Sequence, residues 1–199
     1  MSGTPLIFLD CETTGLCPDI HTPWEIAWRT AIHDPANKVL AMMSGFKTYV
    51  KLSPRQVRLA DDTALSIGRF EQRYGTDGPV LDTADIISML RRDTDDIAIE
   101  AGSSAPPHLV GAVPSFDHNM LCANWLGWPD FGEGLWHYHI IDIEVLAAGK
   151  LGVAPPYSSS DLTSALGVTI DEATKHTAIG DVDGAVKMYA AVYDLEVVW

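Results

Sequence analysis

Residues 8–16 read FLDCETTGL, and they follow the apolar run PLI at 5–7. The stretch from Leu6 to Glu12 predicts a buried strand. On a strand, residues two apart share a side, so Asp10 and Glu12 aim their carboxylates together while Cys11 points away. Two ionised acids at a buried strand end are costly unless a partner offsets their charge. Hard divalent cations such as Mg²⁺ take oxygen ligands and are held by a few carboxylates together with substrate phosphates. Taken alone, the pair is either a solvated strand end or part of a cation site that more distant residues complete.

Working outward, WEIAWRTAIH (24–33) predicts a second strand, ended by the turn-forming DPANK, and KVLAMMSGFKTYVKL (38–52) a third. Three consecutive strands suggest an antiparallel meander. Residues 53–75 have weak periodicity and suit short helices joined by turns. DTADIISMLRR (82–92) has helical spacing, with Asp82 or Thr83 as its cap. AGSSAPP (101–107) is a loop, HLVGAV (108–113) a short strand and FDHNMLCANWLGW (116–128) a helix. Trp125, Trp128, Phe131 and Trp136 surround a glycine-rich loop expected to pack on the core, the alternative being that its rings stack on bases. WHYHIID (136–142) is strand-like and IEVLAAGKLG (143–152) a helix closed by glycine. Ser160 is a candidate cap for DLTSALG, and residues 177–195 form the last amphipathic helix. The expected fold class is α/β, a mixed five-stranded sheet flanked by helices, as one domain spanning 1–199.

Composition narrows the function. Hydrophobic residues make up 47% of the chain, which suits a globular protein. No stretch reaches the roughly 18 apolar residues of a membrane-spanning helix, and MSGTP lacks the order of a signal peptide, so a soluble cytoplasmic location is expected. Cys11, Cys17 and Cys122 are odd in number and widely spaced, as reduced thiols would be. The net charge of −14 argues against coating nucleic acid through a broad basic face. The charge is uneven: residues 1–92 hold 10 of the 13 Lys and Arg against 11 of the 27 acids, net −1, and residues 93–199 carry the remaining −13. Any basic surface belongs to the first half, where Lys47, Lys51, Arg55, Arg58, Arg69 and Arg73 lie close in sequence.

Two further acids sit in settings like those of the first pair. Asp117 follows Phe116 at the junction between HLVGAV and the next helix. Asp181 lies in the first turns of the last helix, with His176 five residues earlier in KHTAIGD. Taken singly, Asp117 reads as a helix cap and Asp181 as a charge favoured by the helix dipole.

Together, FLDCETTGL, SFD (115–117) and HTAIGD (176–181) resemble the three motifs of the DEDDh (DnaQ-like) exonuclease family. That family includes proofreading subunits of DNA polymerases, RNase T and oligoribonuclease. The resemblance covers about residues 5 to 195. EIA (25–27), IIDIEVLAAG (140–149) and DLTSALGV (161–168) also match. It implies a ribonuclease H-like fold and a metal-dependent 3′→5′ exonuclease releasing nucleoside 5′-monophosphates from single-stranded ends, DNA favoured and RNA admitted. By the same resemblance, Asp10, Glu12, Asp117 and Asp181 bind two divalent ions, Mg²⁺ or Mn²⁺, and His176 is the general base. The chemistry is coherent: two ions roughly 3.5–4 Å apart stabilise the attacking and leaving oxygens of an in-line displacement. Four carboxylates nearly cancel their charge, and a histidine titrates close enough to neutral pH to accept a proton from water. Thr13, Thr14 and Gly15 would contact the terminal nucleotide, Leu16 would wedge against its base, and Phe116 would pack on base or sugar.

One departure concerns substrate contact. Where the family has His-Asn before the second-motif aspartate, this chain has Ala112 and Val113, with His118 and Asn119 after it. The acidic second half also favours short or end-limited substrates over long tracks. Two other readings are open: an adaptor that binds a polymerase or a nucleic-acid end without catalysis, and an oligoribonuclease-like enzyme for short RNA. His137 and His139 alternate on a strand, and without a Cys pair they read as surface residues rather than zinc ligands.

Overall fold

A computed structural model describes residues 3–127 and 134–199. One sheet contains β1 (Thr4–Thr13), β2 (Pro23–Asp34), β3 (Val39–Val50), β4 (Val80–Leu81), β5 (His108–Gly111), β6 (His137–Asp142) and β7 (Glu196–Val198). Its order is β4-β3-β2-β1-β5-β6, with β7 also on β3. The first three strands form the expected antiparallel meander, and β5 and β6 continue the sheet in parallel from β1. The five expected strands are thus its centre, but the sheet has two more. β4 pairs with β3 at Tyr49–Val50 and β7 at Val39–Ala41, so they cover opposite ends of one edge. Segments of two and three residues are too short to display alternation.

The helices are α1 (Pro54–Arg58), α2 (Asp62–Ile67), α3 (Phe70–Arg73), α4 (Thr83–Glu100), α5 (Pro114–Leu121), α6 (Ile143–Leu151), α7 (Ser159–Ala165) and α8 (Ala178–Tyr193). Three boundaries differ from expectation. α4 runs on to Glu100 because Asp93 and Thr94, which break the apolar pattern, are themselves buried, Asp93 accepting a 2.9 Å hydrogen bond from Trp28 Nε1. α5 begins at Pro114 and passes into a π-helical turn, Cys122–Leu126. Ser158, rather than Ser160, caps α7 by accepting from the Asp161 N–H. Trp136 is buried and Trp125 packs against the same cluster, whereas Trp128 and Phe131 lie outside the described residues. Among the described residues no helix is long and apolar enough to cross a membrane.

Strand alternation divides the core in two. Leu6 and Phe8 of β1, with Ala27 and Ala31 of β2, face the layer formed by α6, α7 and α8. Ile7, Leu9 and Cys11, with Ile26 and Trp28, face α4 and α5. Asp10 and Glu12 continue the even series of β1 and so project on the α8 side. β2 holds α8 in register along that face. Glu25 accepts from the Ala178 N–H at the helix N-terminus (3.3 Å), Arg29 pairs with Asp183 (2.5 Å), and His33 Nδ1 lies 3.0 Å from the Tyr189 hydroxyl. Phe8 meets Tyr189 edge-on, with ring centroids 5.5 Å apart. These contacts fix α8 both along and across β1, which brings Asp181 over the acid pair.

Candidate active site

Ligand oxygens of Asp10, Glu12 and Asp181 all lie within 4.8 Å of one another. The three come from the carboxyl end of the central strand and the first turn of the helix crossing it, where open α/β sheets place their ligands. Thr177 caps α8 by accepting from the Gly180 N–H at 3.1 Å, so the helix starts with Asp181 on its sheet-facing side. A Cβ on Gly180 would stand 2.1 Å from the Thr174 carbonyl oxygen. Only glycine lets the 171–176 segment fold this closely onto the helix, and that segment ends in His176.

Asp117 approaches from α5 on the other side. It is buried, and its Oδ1 accepts a 3.0 Å hydrogen bond from the Cys11 N–H, between the two acids of β1. Asp10, Glu12, Asp117, Asp181, His176, Leu16 and Phe116 line one open groove. A second hollow of about 320 Å³ shares Asp10, Ala112, His176 and Asp181 with it and extends to Ser159, Ser160 and Lys175. The five polar residues picked out from the motifs therefore converge, together with Leu16 and Phe116.

Thr13 and Thr14 do not line the groove. Both are buried, the Thr13 hydroxyl donating to the Gly15 carbonyl (2.8 Å) and the Thr14 hydroxyl accepting from the Thr22 N–H (3.0 Å). Gly15 packs against the His21 ring at a φ of 151°. Asn124, on the π-helical turn, donates to the carbonyls of Pro18 (3.2 Å) and His21 (3.0 Å). This braced loop presents Leu16, which is 80% exposed. Ala112 and Val113 border Phe116, and Val113 has φ 52° and ψ 49°. A β-branched residue rarely takes this left-handed conformation. His137 and His139 lie on β6, with ring centroids 5.1 Å apart, and take no part in the groove.

The electrostatics of the cluster fit a cation. Burial raises the Asp10 carboxyl well above the usual carboxylate range, and Asp117, Asp181 and Glu12 raise it further. Burial, with Asp181 and Glu25 nearby, pushes Glu12 up to about 7. Burial raises Asp117 and Asp181 as well, although the Cys11 N–H works against the first shift and His176 against the second. Hard oxygen donors with unbalanced negative charge are a donor set suited to a divalent cation.

Sequence reasoning did not reveal the residues that brace the cluster beside the start of α8. Gly68, between α2 and α3, lies so near the cluster that a Cβ there would be 3.1 Å from Glu12 Oε2. Arg73 of α3 pairs with the buried Glu25, which stands opposite Glu12 in register, and its Nη1 donates to the His176 carbonyl at 3.0 Å. EIA at 25–27 was the available sign of Glu25; nothing in the weak periodicity of 53–75 singled out Arg73.

No protein-family model matches this sequence, and no curated protein matches it. Solved structures do. A full-length 3′-exonuclease superposes with a TM-score of 0.68 at 15% identity, covering 98% of this chain and 62% of its own. A 3′-exonuclease described in 3′-end recognition of a histone mRNA stem-loop gives 0.67 at 15%, covering 96% and 64%. The zinc-ion-bound complex of E. coli ExoI with ssDNA gives 0.62 at 16%, covering 97% of this chain and 41% of that one. The chain thus spans about two-fifths of the length of the exonuclease I protein. At such identities the likeness is one of fold, and the fold is ribonuclease H-like.

Proposed function

We propose that this chain is a metal-dependent 3′→5′ exonuclease domain acting on single-stranded DNA or RNA ends and releasing nucleoside 5′-monophosphates. The observation that carries the reading is the convergence of Asp10, Glu12 and Asp181 within 4.8 Å, in a groove that also contains Asp117 and His176. The neighbours with bound ssDNA and with a histone mRNA stem-loop support a nucleic-acid substrate.

Asp10, Glu12, Asp117 and Asp181 would hold two divalent ions. When bound, these supply Lewis-acid stabilisation of the attacking and leaving oxygens. The residues of the chain do the rest. An imidazole nitrogen of His176 takes a proton from the attacking water, the water oxygen bonds to phosphorus as the bond from phosphorus to the 3′-oxygen of the shortened strand breaks, and that 3′-oxygen takes up a proton from solvent. Leu16 and Phe116 flank the terminal base. Thr13, Thr14 and Gly15 act through the shape of the loop, since both threonine hydroxyls are already engaged and Gly15 has no side chain. The second hollow, with Ser159, Ser160 and Lys175, gives the preceding nucleotide room.

The test is a panel of matched DNA and RNA oligonucleotides of several lengths, incubated with Mn²⁺, with products identified by mass. The reading expects nucleoside 5′-monophosphates from single strands. Internal cuts, or 3′-monophosphates, would contradict it.

A further inference from the structure

Arg69 and Arg73, at the start of α3 and within it, both bond to the segment that ends in His176. Arg69 Nη2 lies 3.3 Å from the Ala173 carbonyl and 3.1 Å from that of Lys175; Arg73 Nη1 lies 3.0 Å from that of His176. Three carbonyls of one short segment thus accept from two guanidinium groups contributed by a distant stretch of chain. The same Nη1 donates to the Gly68 carbonyl at 2.7 Å, and Nη2 pairs with Glu25, whose side chain is wholly buried and which also accepts from the N–H of Ala178. The guanidinium stacks over Trp24, 5.2 Å from the ring centroid. Arg73 is therefore anchored on strand, loop and helix start at once, as its rigid fork allows.

The segment it holds is under conformational strain. Within it His176 has φ 57°, and in the clamp Arg69 has φ 56°, both in the left-handed region that non-glycine residues seldom occupy. Such conformations persist where surrounding contacts over-determine them, and they concentrate at functional sites. His176 itself is exposed, so side-chain packing does not hold it.

We infer that Arg73 and Arg69 form a clamp that positions His176, with buried Glu25 as its anchor. This inference rests on the exonuclease reading and adds positioning residues to it. Neither arginine is assigned a contact with substrate.

Arg69→Gln and Arg73→Gln are compared with the parent chain and with the same changes in a His176→Ala background, on a 5′-labelled single-stranded DNA oligonucleotide with Mn²⁺. A misplaced general base costs up to about 100-fold in turnover. Each substitution alone is therefore expected to lower kcat by about 10- to 100-fold, with KM and Mn²⁺ affinity within roughly threefold of the parent. In the His176→Ala background, each should cost less than about twofold, because the group being positioned is gone. Arg73→Gln leaves Glu25 without its partner and is the variant at risk of not folding. Arg69→Gln, which loses bonds to two carbonyls and one positive charge near Glu12 but leaves Glu25 paired with Arg73, carries the test in that case. Hydrogen exchange of the 173–177 amides should accelerate in either variant. Equal losses with and without His176, or unchanged exchange, would overturn the clamp. An inactive parent chain would instead overturn the exonuclease reading and the clamp with it.

Discussion

Glu12 on β1 and Glu25 on β2 stand directly opposite one another in the sheet, and their charges are treated in opposite ways. Glu25 is fully buried and pairs with Arg73, while Lys47 lies 3.8 Å from its other oxygen. Glu12 forms no ion pair among the described residues and opens into the groove beside Asp10 and Asp181. One acid is neutralised by the protein itself; the other is left for a ligand.

This asymmetry predicts a pH-dependent stability. The folded-state pKa of Glu12, about 7, lies above its ordinary value of 4.5, so the native chain holds this proton more tightly than the unfolded one. Stability should fall as pH rises through the window from about 4.5 to 7, and the raised Asp10 and Asp117 carboxyls carry the fall beyond it. Mn²⁺ competes with the proton, so its affinity should rise over the same window and the fall in Tm should flatten. Thermal melts from pH 5 to 8, with EDTA and with Mn²⁺, check both statements. A metal-free Tm that climbs across that range would contradict them.

Asp10→Asn removes a charge from a cluster that repels itself. In EDTA the variant should be more stable than the parent by about 1–3 kcal/mol, because it relieves an uncompensated buried acid. It should also lose most of the Mn²⁺-induced rise in Tm. Denaturant unfolding with and without Mn²⁺ measures both effects.

Val113→Asn addresses backbone strain. Val113 is 50% exposed, so little packing is lost, while asparagine accepts φ 52° more readily. A gain of about 1 kcal/mol in unfolding free energy is expected. Val113→Ile, with the same branching, should give no such gain.

Gly180→Ala tests the close approach of the His176 segment to α8. The added Cβ would meet the Thr174 carbonyl oxygen at 2.1 Å, a backbone atom that cannot swing aside. A loss of about 2–4 kcal/mol in stability follows, as for other forced overpacking and backbone clashes.

Leu16→Ala separates substrate contact from folding. At 80% exposure the side chain contributes little to the core, so stability should change by less than about 0.5 kcal/mol. KM for a single-stranded oligonucleotide should rise several-fold. An unchanged KM would remove Leu16 from the substrate groove.

The sequence made the acids legible because their placement depends on local rules. Strand alternation puts Asp10 and Glu12 on one face, and a cap at Thr177 starts α8 just before Asp181. What it concealed depends on long-range contact. α1, α2 and α3 are four to six residues each, too short for periodicity to orient them, and their place is set by Arg73 on Glu25 and Tyr74 on the Val50 carbonyl. The second half of α4 was hidden by Asp93, a polar residue that is buried because Trp28 donates to it. β4 and β7 depend for their existence on the free edge of β3.

The central claim is that the carboxylate cluster holds the ions for stepwise removal of 3′ nucleotides. Its most direct test follows a 5′-labelled single-stranded oligonucleotide over time with Mn²⁺ or EDTA, using the parent chain and Asp181→Asn. The account predicts a ladder of products shortened one nucleotide at a time, abolished by EDTA and reduced by at least about 100-fold in the variant. No shortening by the parent, or equal shortening by Asp181→Asn, would contradict it.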